Sequence, residues 1–128
     1  MSLTQRIRPG ISFEVTREVT ADLSASHLGS GSVGVLATPA MILLMESAAR
    51  QAVQPFLEAG ATTVGYVVNV MHLKPTPVGA SVTARAEVTA SDGRKITFRV
   101  EAREGDKLVG EGEHVRVVVD EGRFLASS

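Results

Sequence analysis

Apolar positions recur at two periods along this chain, and the change of period marks its elements. Residues 11–19 alternate, with Ile11, Phe13, Val15 and Val19 on one side and Arg17 interrupting them, which predicts a strand. Residues 22–34, DLSASHLGSGSVG, show no period and are rich in Ser and Gly. They predict a long mobile loop of the kind that often forms a lid or binding loop. Thr38-Pro39 then reads as a helix start, Thr38 capping free N–H groups and Pro39 at the first helical position. The helix runs to Val53; Pro55 ends or kinks it, one more turn follows, and Gly60 stops it. It is roughly 25–30 Å long at the α-helical rise. Residues 40–45 are apolar all round, so the helix is expected to be wrapped on most sides. After it the period returns to two. Strands are predicted at 64–74, ended by Pro75 and Pro77; at 81–89, with Val82, Ala84, Ala86 and Val88 inward; at 95–102, with Ile96, Phe98 and Val100 inward; and at 108–119. Tight turns at 91–94 and at Gly105-Asp106, with short connections throughout, predict a meander of antiparallel neighbours.

Strand, long loop, buried helix and four strands together predict an α+β domain, one antiparallel sheet wrapped around a long central helix. The order resembles the hotdog fold. A helix lying on a flat sheet, as in cystatin-like folds, is the alternative. The 128 residues fit a single domain, 1–128. The absence of cysteine excludes disulfides, thiolate metal sites and Cys nucleophiles. A net charge of -1 argues against a basic nucleic-acid face, and the five aromatics, Phe13, Phe56, Tyr66, Phe98 and Phe124, form no stacking platform. No apolar run reaches membrane-spanning length and the N-terminus has no signal-peptide core, so the cytoplasm is the expected compartment.

A carboxylate inside an apolar helix needs a partner, a proton or a site. Glu46 is such a group: Arg50, four residues on, can pair it, or it is a base or nucleophile whose pKa the site adjusts. The start of the same helix, at Thr38, offers free N–H groups and a positive dipole end suited to an oxyanion. Thr38 and Glu46 lie about 12 Å apart along the axis, so a shared site needs substrate, another segment or a partner subunit between them. His72 shares a strand face with Tyr66, Val68 and Val70, leaving Gly65, Val67, Asn69, Met71 and Leu73 on the other. Gly65 either lets a ligand approach the backbone or marks a bulge or close packing. Gly110, Gly112, His114 and Arg116 share one face of the last strand; the glycines predict close packing by the helix, while His114 and Arg116 line a polar cavity or meet solvent. The three histidines are too far apart in sequence to suggest a metal site, and neither a P-loop nor a GxSxG elbow is present.

Ala37-Thr38-Pro39-Ala40-Met41 with Leu44-Met45-Glu46, then Val64-Gly65 with Val70-Met71-His72, then Gly110-x-Gly112-x-His114-x-Arg116, resemble the hotdog thioesterases of the fluoroacetyl-CoA thioesterase-like family. The similarity runs from about Gly10 to Val119. It implies a homodimer or higher homo-oligomer that binds acyl-CoA at the subunit interface, with CoA as part of the substrate and no separate cofactor. It implies that Thr38, Glu46 and His72 are catalytic, that Gly65 contacts the acyl part and that Arg116 lies at the site. One departure is visible: fluoroacetyl-specific members carry aromatics in the lid, and residues 22–35 here have none. Thioester hydrolysis survives that departure; fluoroacetyl specificity is not implied. A hotdog hydratase would need an Asp and a His on or before the helix, and residues 37–54 hold neither. A non-catalytic acyl-CoA sensor or carrier is the reading from another class, and a purely structural oligomer accounts for Glu46 only if Arg50 pairs it. The lack of a basic cluster favours CoA over an acidic carrier protein as the thiol part.

Overall fold

The computed structural model describes residues 6–127. Five strands form one antiparallel sheet: β1 (Ser12–Glu18), β2 (Ala61–His72), β3 (Ser81–Ser91), β4 (Lys95–Glu104) and β5 (Lys107–Asp120). Three α-helices accompany them among the described residues, α1 (Ala25–Leu28), α2 (Thr38–Val53) and α3 (Glu121–Ser127), with short 3-10 turns at Ala21–Leu23 and Gln54–Phe56. The strand order is β1-β3-β4-β5-β2, and α2 packs chiefly across β3 and β1 on one face. This is the sheet-around-helix arrangement expected from the element order.

The alternation in β3 and β4 is realised as written. Val82, Ala84, Ala86, Val88, Ile96, Phe98 and Val100 are all fully buried, against Met41, Met45, Ala48, Ala49 and Val53 of α2. Small residues on both elements let helix and sheet approach closely. A Cβ on Gly110 would land on Met41 Sδ, with Met41 Cε 2.9 Å away, so this glycine is where the helix rests on β5.

Four expectations are corrected. The meander is confined to β3-β4-β5; β2 pairs with β5 and not with β3. Residues 73–80 carry two prolines and cannot close a hairpin; they run instead beneath the start of α2, where Leu36 N–H donates to Thr76 O at 2.8 Å and Val19 N–H to Ala80 O at 2.8 Å. The loop at 22–34 is partly built: Ser24 accepts from His27 N–H at the start of α1, and Gly29, at φ 77°, closes that turn. The cap of α2 is Ala37, making Thr38 the first helical residue and Pro39 the second, so the Thr38 hydroxyl is not spent on capping. Finally, α2 is not wrapped all round: Leu43 is 61% exposed and opens a free flank that also carries Glu46 and Ser47.

Candidate active site

The local event that shapes the site is a bulge in β2. Gly65 faces Arg116 and Val67 faces Val115, so Tyr66 is an extra residue with no counterpart on β5. The strand's parity changes there. Before the bulge, Thr63 and Gly65 point toward α2; after it, Val70 and His72 do. Simple alternation puts Gly65 and His72 on opposite faces, and the bulge brings them onto the same one.

Two clusters result. At the start of α2, Thr38 Oγ1 is hydrogen-bonded to His72 Nδ1 at 2.8 Å. Burial pushes the His72 imidazole below its ordinary pKa, opposed by the Lys74 backbone, so the neutral ring is favoured. Its Nε2 is buried and has no hydrogen-bond partner among the described residues. Beside the pair lies a cleft of about 260 Å³ lined by Ala25, Ser30, Val35, Leu36 and Leu73.

Two helical turns further on, Glu46 Oε2 lies 3.7 Å from Arg116 Nη1 and 4.0 Å from His114 Nε2. A side chain at Gly65 would put a Cβ 2.6 Å from the same oxygen, so the missing side chain makes room for the carboxylate. The Glu46 side chain is 34% exposed, on a groove of about 280 Å³ shared with Leu43, Ser47, Arg50 and Arg116. It is therefore not the fully buried acid that the apolar run suggested. Its ion-pair partner among the described residues is Arg116, with the His114 ring beside it, and the expected alternative pairing with Arg50 is absent.

Arg116 is held from three sides. Nε donates to Thr63 Oγ1 at 2.7 Å and Nη2 to Thr63 O at 2.9 Å, while Nη1 is 3.2 Å from His114 Nε2. A guanidinium only donates. His114 Nε2 is therefore the acceptor, and Nδ1 carries the proton given to Val67 O at 2.8 Å. Burial is the main cause that lowers the His114 pKa; the Val67 carbonyl and Glu46 oppose it, and the Arg116 charge reinforces it. Burial likewise lowers Arg116, with Glu46 opposing.

The expected residues thus fall into Thr38–His72 and Glu46–Gly65–Arg116, and no hydrogen bond or ion pair joins the two clusters among the described residues. Thr63, and the buried setting of His114, were not foreseen. The available signal was Gly65 read as a bulge, since a bulge there turns Thr63 inward. A larger groove of about 620 Å³ lies elsewhere, bounded by Asn69, Met71, Arg99 and Glu111, and contains none of these groups. Among the described residues, no cluster of three or more His, Asp or Glu is disposed to bind a metal. No helix is long and apolar enough to cross a membrane.

Known proteins share this arrangement of chain. A fluoroacetyl-CoA thioesterase from Streptantibioticus cattleyicolor is 39% identical over 92 residues, which span 72% of this chain and 66% of that protein. The solved structure of the fluoroacetyl-CoA thioesterase FlK superposes with a TM-score of 0.88 at 33% identity, covering 94% of each chain. A hot-dog-like protein from Thermanaerovibrio acidaminovorans, at 20% identity, matches with a TM-score of 0.89 over 99% of this chain and 94% of its own, and shares the fold alone. The profile of FlK, described as fluoroacetyl-CoA-specific thioesterase, matches residues 15–122. With most of its length inside that match, the chain belongs to the FlK family of thioesterases.

Proposed function

We propose that the protein hydrolyses acyl-CoA thioesters to the free acid and CoA, with Glu46 and His72 as the reacting groups. The observation that carries this is the Glu46 carboxylate: partly exposed on a groove, over a residue with no side chain, and beside a buried cation. The relatives act on fluoroacetyl-CoA by name, and a variant of FlK has been solved with fluoroacetate and CoA, which supports CoA as the thiol part.

Thioester cleavage asks for a nucleophile and an oxyanion site more than for an acid, because the leaving thiol has a pKa of about 8.5. Glu46 attacks the carbonyl carbon or removes a proton from the water that does. The C–S bond breaks as the tetrahedral oxyanion collapses, and the thiolate is protonated; where Glu46 itself has attacked, the acyl group is left on it as an anhydride, and a water deprotonated at His72 opens that anhydride, releasing the free acid and regenerating the carboxylate. His72, neutral and held at Nδ1 by Thr38, moves the proton. Thr38 then orients His72 rather than Glu46. Gly65 admits the acyl group, and Arg116 steadies Glu46.

The two clusters become one site in a homodimer. β2 is a sheet edge of 12 residues with Tyr66, Val67, Val68 and Met71 exposed, whereas the opposite edge, β1, carries Glu14, Arg17 and Glu18. An unpaired apolar edge is a template for another strand. Two β2 edges paired antiparallel about residues 66–68 put His72 opposite residues 60–64 of the partner, next to the partner subunit's Gly65 and Glu46. The test is thiol release from acetyl-, fluoroacetyl-, branched, aromatic and long-chain acyl-CoA by wild type and E46Q. Release that vanishes in E46Q supports the reading. Thioesters that bind without being cleaved replace it with a sensor or carrier.

A further inference from the structure

We propose that His114 is a positioning residue for Glu46, and that it works only as the neutral Nδ1–H tautomer. The proposal rests on the thioesterase reading for its kinetic consequences, but not for its structural test. His114 is 1% exposed, far more deeply buried than a polar group with no task need be. Both ring nitrogens are engaged: Nδ1–H on the carbonyl of Val67, just past the β2 bulge, and the Nε2 lone pair on Arg116 Nη1. Phe98 of β4 stacks on the ring, with centroids 6.2 Å apart and planes 28° from parallel, which fixes its tilt.

Arg116 needs that acceptor. Two of its nitrogens are spent on Thr63, and Nη1 is the one nearest Glu46. The bond to His114 therefore decides where the charge seen by the carboxylate sits. Without it, Nη1 moves onto Glu46 as a full ion pair, and a carboxylate so paired is a poorer nucleophile and base.

Protonation does the same by another route. An imidazolium has two donors and no acceptor, so the Nε2–Arg116 bond becomes a contact between two cations. The new Nε2–H then faces Glu46 Oε2, already 4.0 Å away. The groups that face His114 set the balance. α2 presents Glu46, with Arg50 acting on Arg116; β5 presents Arg116; β2 presents the Val67 carbonyl and β4 the Phe98 ring. Glu46 is the one anion among them. The imidazolium therefore has one available partner, and taking it captures the reacting carboxylate.

Two substitutions separate these roles. H114N keeps a donor for Val67 and loses the acceptor for Arg116. H114Q keeps an acceptor at the reach of Nε2 and cannot titrate. The first measurement needs neither: in the wild type, ¹⁵N shifts of His114 and the ¹³Cδ shift of Glu46 are followed together through an acid titration. The expected result is an unprotonated Nε2 at neutral pH, and a Glu46 signal that moves in step with His114 protonation as well as with its own. In H114Q the first of those two steps is lost from Glu46. On hydrolysis, kcat of H114N is expected to fall about tenfold or more, the scale of one hydrogen bond to a charged group, with KM little changed. H114Q recovers most of that fall, and the acid limb of its kcat profile moves to lower pH. A proton on Nε2 at neutral pH, or a Glu46 titration identical in wild type and H114Q, overturns the proposal. A wild type that cleaves no thioester overturns the function above and leaves the NMR coupling to decide this point alone.

Discussion

Replacing Gly65 by alanine adds one methyl group directly against the Glu46 carboxylate. Gly65 has no left-handed φ, so the backbone accepts alanine without strain. The new Cβ would sit 2.6 Å from Glu46 Oε2, 3.5 Å from His114 Cε1 and 3.9 Å from Arg116 Nη1. The last two are ordinary contacts. The first is not, and the oxygen must retreat by about 0.8 Å to reach the 3.4 Å of ordinary van der Waals contact. It can do so cheaply, being the far end of a side chain that is 34% exposed. Stability should therefore change by less than about 1 kcal/mol. Catalysis should not be so tolerant, because a displacement near 1 Å in a reacting group costs on the order of 10²-fold. The assay is thiol release at saturating acyl-CoA alongside a urea melt. G65A with kcat within about threefold of wild type and an unchanged melt would refute the placement of Glu46 as the reacting carboxylate. Loss of both folding and activity would show instead that the glycine serves packing.

T38V should lower kcat by about 10²-fold with T38S restoring most of it, because the hydroxyl bonds His72 and caps nothing; a lowered melting point with kcat intact would point to capping after all. G112A should cost about 3 kcal/mol, since its Cβ falls 2.6 Å from Val70 Cα and onto the Asn69 carbonyl, both backbone, whereas G110A meets chiefly the flexible end of the Met41 side chain, with the Met71 carbonyl at 3.2 Å, and should cost about 1 kcal/mol. Urea midpoints that rank the two the other way would contradict the account of β2–β5 pairing. V68K should yield a monomer in sedimentation where the wild type gives the proposed dimer, and remove hydrolysis with it; an active monomer would sink the two-cluster site. Stability should also fall in acid. Burial lowers the pKa of both His72 and His114 in the folded chain, so the unfolded chain binds more protons and the urea midpoint drops as pH falls below about 6.5. H114Q should show a shallower drop, and an equal slope in both proteins would exclude His114 from it.

What could be read from the residues was what depends on near neighbours. The alternation in β3 and β4 needed only a period of two, and the helix end needed only Pro55 and Gly60. Which strands pair was another matter. Nothing local in β2 says that it lies against β5, whose paired residues run from Ala61 with Asp120 to His72 with Gly110 and are hairpin-close at no position. The bulge at Tyr66 defeated the period itself, and with it the relation of Gly65 to His72. The apolar run of α2 was misjudged for a different reason. A pattern records that Leu43 avoids water and not which molecule covers it, and in this chain nothing does. Thr38 was placed among the catalytic residues, but the one-residue error at the helix start hid the partner of its hydroxyl, His72. Glu46 stood out because its surroundings are apolar and His72 through the family resemblance, whereas Thr63, an ordinary strand threonine, had neither signal.

The extra residue in β2 also limits how this protein can vary. Tyr66 sits between two segments that each present side chains to α2, in opposite phase. Its deletion would turn either Thr63 and Gly65 or Val70 and His72 outward, so one cluster would survive only at the expense of the other. An insertion anywhere between Gly65 and His72 has the same effect. The segment between β1 and α2 is tied at its two ends, by the Ser24–Leu36 and Val35–Pro77 bridges and the Val78 N–H to Gly34 O bond, but residues 26–33 between those ties are paired with no strand and obey no such count. Evolution can therefore lengthen, shorten or restock the roof of the cleft while the groups beneath it keep their register, and relatives with different acyl preferences should differ in length there and not in β2.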